Sequence, residues 1–284
     1  MQNLSQQKRQ RMLGFLEQIK SSSDDMLIDV SDVSTIPVEV KYKIYQSFSA
    51  LSKETVNNIK SQDIHCKGDI ICVIDRYGFY KNAYSSDEVA DILEKYDIIC
   101  YHATKVSSKS MLLSDGLKTN DWSVYCSNLK NAYKNAEFSE NKIQEALCIV
   151  KSEYNRKYVS YDRNAQLCFF NNLLMFERRG VAAYDQFCEN IGGEMARKAL
   201  KNNYPELYKP LKEKGKGCVV KFRLPFAMIA DYDKNSIAYQ FVIYYAGVYF
   251  WNKEYDIEFD GNTQSDVPPE DILDIIDYDN DVDY

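Results

Sequence analysis

Three separated segments hold the residues best suited to chemistry. The first is Tyr101-His102-Ala103-Thr104, which follows the apolar run Ile98-Ile99-Cys100. That run reads as a short buried strand. A histidine at a strand end can aim its ring into a cleft while the strand backbone supplies donors and acceptors. A paired structural histidine explains the same residue. The second segment is Cys168-Phe169-Phe170, a buried strand leading to a helix that carries Tyr184. An aromatic ring there can stack on a planar ligand, and core packing is the alternative in a chain with 23 tyrosines and 13 phenylalanines. The third is Trp251 to Phe259, where Glu254, Asp256 and Glu258 alternate onto one face of a strand. A solvated sheet face gives the same pattern. The only histidines are His65 and His102, and no two of the eight cysteines form C-x-x-C, so no metal site is expected. Neither G-x-G-x-x-G nor a Walker loop occurs, which removes the common phosphate cradles.

The elements that must position these residues are read from periodicity and punctuation. Residues 3–20 have one apolar helical face, and 21–25 form a linker. A helix is expected over 38–60, opened by Pro37. The stretch 68–80 reads as a hairpin and 86–96 as a short helix with early acids. After the strand at 98–102, Ser107 or Ser108 caps a helix that runs through Leu113 and ends at Gly116. Residues 128–157 read as helical, 166–170 as a strand, and 171–203 as helix interrupted by Gly180, Gly192 and Gly193. Strands are expected at 217–224, ended by Pro225, and at 237–245 and 248–259. Val267 to Ile272 reads as a turn into a last helical turn. The organisation expected is a helical region at 1–96 with a short hairpin, a sheet-rich domain at 97–276, and an acidic tail at 277–284. The fold class is α+β.

The chain has 284 residues, 45% hydrophobic and 27% charged, as in ordinary globular proteins. No apolar run reaches the ~18 residues of a membrane span. The polar start, Met1 to Arg11, shows no secretory signal, so a cytoplasmic location with reduced cysteines is expected. The net charge of −7 argues against nucleic-acid binding by bulk charge. Bulk charge does not exclude a local basic groove. Lys105, Lys109, Lys118, Lys130, Lys134, Arg156, Lys157, Arg163, Arg178 and Arg179 interleave with Tyr125, Tyr133, Tyr154, Tyr158 and Tyr161. Such a mixture suits single-stranded nucleic acid, and solvated helix faces account for it equally.

Taken in order, the three segments resemble the ADP-ribosyltransferase superfamily, in its His-Tyr-Glu branch. That branch includes the poly-ADP-ribose polymerases and bacterial toxins that modify DNA, RNA or protein. The run YHATKVSSKSMLLSDGLK resembles the first motif, usually Tyr-His-Gly-Thr or Tyr-His-Gly-Ser, then a helix ending in Gly-Leu. CFFNNLLMFERRGVAAY resembles the second, an aromatic strand and a helix with a tyrosine. WNKEYDIEF resembles the third, a strand that begins at the catalytic glutamate, and VPPEDI is similar to the closing turn of bacterial members. The resemblance spans residues 97–276. Ala103 departs from it, standing where the family has a glycine whose backbone holds the nicotinamide amide.

The resemblance implies a split mixed and antiparallel sheet, NAD as co-substrate and no metal. Tyr101, His102, Ala103, Thr104, Phe169 and Tyr184 would form the NAD site. His102 and Thr104 would hold the adenosine ribose, and Tyr184 would stack on nicotinamide. The catalytic carboxylate would be Glu254, the favoured of two, which fits an Asn-x-Glu-Tyr context, or Glu258, which lies nearer the closing turn. The reaction would break a C–N glycosidic bond through an oxocarbenium-like state that the carboxylate stabilises. The implied acceptor is a base of RNA or DNA, with a protein side chain as the alternative. A transferase loose in its own cell is harmful, so the resemblance also implies a toxin or phage-defence effector held by an antitoxin protein. Two further readings share the fold: an RNA 2′-phosphotransferase using Arg178-Arg179, and a non-catalytic interaction module.

Overall fold

A computed structural model describes residues 26–77, 86–156, 165–173 and 187–278. The expected helix at 3–20, the linker at 21–25, Tyr184 and the tail beyond Tyr278 lie outside the described residues. The chain divides into two compact units. The first comprises the chain up to Ile98 with Pro225–Ala227 and Lys234–Ile257. The second comprises Ile99–Leu224, Met228–Asp233 and the chain from Glu258 onward.

In the first unit, α1 (Val38–Ala50) buries Val40, Ile44 and Phe48, one residue per turn on a single stripe. The expected single helix over 38–60 is two helices. Ser52 interrupts it, its hydroxyl accepting the Thr55 N–H at 3.0 Å to start α2 (Lys53–Lys60). The stretch expected to be a hairpin is instead a helix, α3 (Lys67–Arg76). Its start is built by Asp69, whose carboxylate accepts the backbone N–H groups of His65 at 2.7 Å and Cys66 at 2.9 Å. This capping box has a cysteine in place of the usual serine or threonine, which hides it from inspection. Ile70, Val73 and Ile74 then supply a helical stripe. A short helix, α4 (Ser86–Leu93), follows.

The largest correction concerns 237–259. Neither expected strand exists there. Asp231–Ala246 is a helix, numbered α10 below in chain order, and Gly247–Trp251 is a π-helical turn. Residues 252–259 have no regular structure. The cause is burial on all sides of its second half: Ile237, Ala238, Phe241, Val242, Ile243, Tyr244, Tyr245 and Ala246 are all buried. A helix apolar all round has no polar face to betray its period, so its sequence looks like that of a buried strand. Aromatic contacts within the unit tie the π turn down, with Phe48 at 4.9 Å from Phe250 and 5.3 Å from Tyr249, centroid to centroid.

The strands are β1 (Leu27–Ile28), β2 (Asp97–Val106), β3 (Leu167–Phe170), β4 (Lys216–Pro225), β5 (Asp260–Thr263) and β6 (Ile272–Asp277). In the first unit, β1 pairs in parallel with Asp97 and Ile98. In the second, the strand order is β5-β3-β2-β4-β6. The β2–β3, β3–β5 and β4–β6 pairs are antiparallel, with Tyr101 opposite Phe170 and Phe170 opposite Asp260. The α+β class expected from sequence is therefore present. The expected last helical turn is a 3-10 turn, Pro269–Asp271, that feeds β6. Asp277, expected to open the acidic tail, ends that strand and pairs with Lys109 at 2.5 Å.

The helices of the second unit are α5 (Lys109–Asp115), α6 (Trp122–Lys134), α7 (Glu140–Tyr154), α8 (Gly193–Leu200) and α9 (Pro205–Glu213). The expected stretch 128–157 is thus parts of two helices. Between them Glu137 takes a left-handed φ of 59°. Four of these helices, α6 to α9, enclose a core around Leu129, Tyr133, Val150, Leu200 and Leu211.

Candidate active site

The site is built outward from the middle of β2. Tyr101 and Ala103 are buried, whereas His102 and Thr104 are half-buried. The His102 Nδ1 lies 2.7 Å from the Cys168 carbonyl oxygen on β3. A carbonyl only accepts, so Nδ1 carries the proton and Nε2 is the acceptor of a neutral ring. Burial of the ring holds its pKa below the ordinary histidine value of 6.5, and the bond to Cys168 offsets only part of that. His102 is thus a neutral acceptor near pH 7.

The other first-motif residues are more enclosed. The Tyr101 ring lies under the Lys221 ammonium, 5.9 Å from nitrogen to centroid. Ala103 is 6% exposed. Phe169 is fully buried, and a Cβ on Gly261 would come within 2.8 Å of its ring. That ring is occupied by core packing and presents no open face. Tyr184, Arg178 and Arg179 lie outside the described residues.

The two glutamates part company. Glu254 is exposed and belongs to the first unit, where its charge joins burial in pushing up the Tyr244 phenol. Glu258 is half-buried, belongs to the second unit, and sits two residues before β5. The alternating carboxylate face expected for a strand over this segment is absent because the segment is not a strand.

What anchors Phe259, the residue after Glu258, is a residue that sequence reasoning missed. Asn171, immediately after β3 and 1% exposed, accepts the Phe259 N–H through Oδ1 at 2.8 Å. Its own N–H donates to the Phe259 carbonyl at 3.3 Å. The available signal was the polar pair Asn171-Asn172 directly behind an aromatic strand, where buried amides need partners.

The ends of the motif region are also joined. The Leu117 N–H donates to the Val267 carbonyl and the Val267 N–H to the Leu117 carbonyl, each at 2.9 Å. Gly116 has φ 74°, and a Cβ there would lie 2.0 Å from the Val267 oxygen. Asp266 accepts from the Thr119 N–H at 2.8 Å and pairs with Lys118 at 3.2 Å. Burial alone would raise its carboxyl pKa; these partners outweigh burial and hold it below the usual value. Gly116-Leu117 therefore lies against the Val267-Pro268-Pro269 turn.

The chain matches no family model, no curated protein and no solved structure.

The basic and aromatic surface expected for nucleic acid is altered by the fold. Tyr125, Tyr133 and Tyr154 are core residues whose hydroxyls donate to the carbonyls of Gly192, Leu207 and Asn120. Lys105 donates to the carbonyls of Glu189 and Lys212, Lys109 pairs with Asp277, and Arg156 pairs with Glu153. Lys157, Tyr158, Tyr161 and Arg163 lie outside the described residues. No helix among the described residues is long and apolar enough to cross a membrane. No group of three or more His, Cys, Asp or Glu residues among them could hold a metal ion.

Proposed function

We propose that the chain is an NAD-dependent mono-ADP-ribosyltransferase with His102 as a ribose-binding acceptor and Glu258 as its catalytic carboxylate. The observation that carries this reading is the strand order β5-β3-β2. It sets side by side the strand of the first motif, the strand of the second, and a strand that opens two residues after Glu258. The neutral His102 ring, with its Nε2 lone pair as acceptor, suits a ribose hydroxyl of NAD. Glu258 is preferred to Glu254 because Glu254 precedes no strand and lies in the other unit.

In this reading the bond between nicotinamide and its ribose breaks, and nicotinamide leaves with the bonding pair. The Glu258 carboxylate stabilises the positive charge that develops on the ribose. The acceptor nucleophile then bonds to the ribose carbon, and its proton passes to the carboxylate or to water. The buried Ala103 methyl narrows the approach to the strand backbone, so the nicotinamide amide is held with less room than a glycine would leave.

With Tyr125, Tyr133 and Tyr154 in the core, the described surface does not favour nucleic acid over protein as acceptor. Nicotinamide release from NAD by the purified chain, with RNA, DNA or protein added in parallel, tests the reading. Release that depends on one pool is expected. No release with any pool, together with no binding of NAD, contradicts it and leaves an interaction module as the better account.

A further inference from the structure

The geometry points to Asn171 as the positioning residue for Glu258, an inference that rests on reading Glu258 as the catalytic carboxylate. The regular β3–β5 ladder stops at the pair Phe170 and Asp260. One step beyond it the chain bends at Asn171, and the Asn171 side chain continues the ladder in place of a strand carbonyl. Its Oδ1 accepts the Phe259 N–H at 2.8 Å while its backbone N–H reaches the Phe259 carbonyl at 3.3 Å.

The Phe259 nitrogen belongs to the same peptide plane as the Glu258 carbonyl. Holding that plane fixes the carbonyl end of Glu258, and Ile257, 2% exposed, anchors the chain on its other side, so rotation about the Glu258 Cα–C bond and the direction of its side chain are restrained from both flanks. The clamp is rigid at both ends. Asn171 is 1% exposed, and Phe259, at 5%, is anchored in the core. A half-buried carboxylate next to this corner is therefore aimed by Asn171 without Asn171 touching substrate. A 1 Å displacement of a reacting group can cost ~10²-fold in rate, so a residue that only aims can matter greatly.

The chemistry of the clamp separates two substitutions. Asn171→Asp keeps an oxygen that can accept the Phe259 N–H. Asn171→Leu keeps the shape and loses the acceptor. Steady-state nicotinamide release is measured for the full chain, with NAD binding followed by calorimetry. Asn171→Leu is expected to lower kcat by about 10- to 100-fold with KM for NAD within about 2-fold, and Asn171→Asp to recover most of that loss. In the Glu258→Gln background, Asn171→Leu is expected to cause no further loss, because it acts through the residue already removed.

A folded Asn171→Leu with unchanged kcat, or one whose loss persists undiminished in the Glu258→Gln background, overturns the inference while the transferase reading stands. An unaltered chain that releases no nicotinamide, or a fully active Glu258→Gln, overturns the transferase reading itself. Should Asn171→Leu not fold, Asn171→Ser, whose hydroxyl is too short to reach Phe259, is read by the same criteria.

Discussion

The β3–β5 corner of the second unit and the α10–π-turn segment of the first are both apolar, aromatic stretches that read as strands. Only the corner contains them. At Leu167–Phe170 the run is four residues long and is bounded by Gln166 and Asn171, polar groups that find partners at the strand ends. At Ile237–Phe250 the run goes on for three turns and every side of it is covered. Length and boundary chemistry separate the two cases, whereas hydrophobicity and β-branching do not. The comparison also divides the two glutamates. Glu258 inherits the order of a strand start, and Glu254 follows a π turn into irregular chain.

The sharpest way to break the second unit is at Gly116, where α5 meets the turn after β5. A Cβ there meets the Val267 oxygen at 2.0 Å on a left-handed backbone. Gly116→Ala should destabilise the chain by about 2–4 kcal/mol in denaturant melts, through strain and the displaced Leu117–Val267 bonds. A loss under about 0.5 kcal/mol would show that the closing turn is not held where the account puts it.

A smaller effect comes from His102. Its folded pKa is lowered, chiefly by burial, so below about 6.5 the unfolded chain takes up a proton on this ring before the folded chain does. The stability it contributes is complete above that pH and declines as pH falls from 6.5 toward the folded value. His102→Gln should remove this part of the pH dependence between pH 7.5 and 5.5, read as a flatter stability profile. An unchanged profile would mean that the ring is not buried as a neutral acceptor.

The smallest effect tests the helical reading of the first unit. The Tyr239 hydroxyl donates to Asp75 at 2.8 Å, joining α10 to α3. This contact exists only if both expected strand regions are helices. A double-mutant cycle of Tyr239→Phe and Asp75→Asn should give a coupling of about 0.5–1 kcal/mol. Zero coupling would weaken the helical assignment of both segments.

Much of the second unit's framework was legible because its signals are local and chemical. Gly116 ends α5 as a helix-stopping glycine should, Ser108 caps it through the Ser110 N–H, and Pro225 closes β4. The strand at Phe169 was visible as a short bounded apolar run, as was the first half of β2, which runs on through His102 to Val106 instead of ending at the histidine. The rest depended on partners distant in sequence. The cap of α3 relies on Asp69 reaching back over a cysteine, and the second half of α10, from Ile237 on, is covered on all faces and so shows no polar period. Within the candidate site, His102 was legible, but its tautomer is set by Cys168, 66 residues away. Asn171 was invisible as a positioning group because its partner, Phe259, is 88 residues distant. Phe169 illustrates the opposite error, a motif residue whose ring the core had already taken.

The most direct measurement is nicotinamide release by Glu258→Gln and Glu254→Gln beside the unaltered chain, under the acceptor conditions that give the most turnover. The account predicts that Glu254→Gln stays within about 3-fold of the unaltered chain. Glu258→Gln should fall by about 10²- to 10³-fold while still binding NAD. Loss of release in Glu254→Gln with Glu258→Gln still active would contradict it, and would move the chemistry to the first unit.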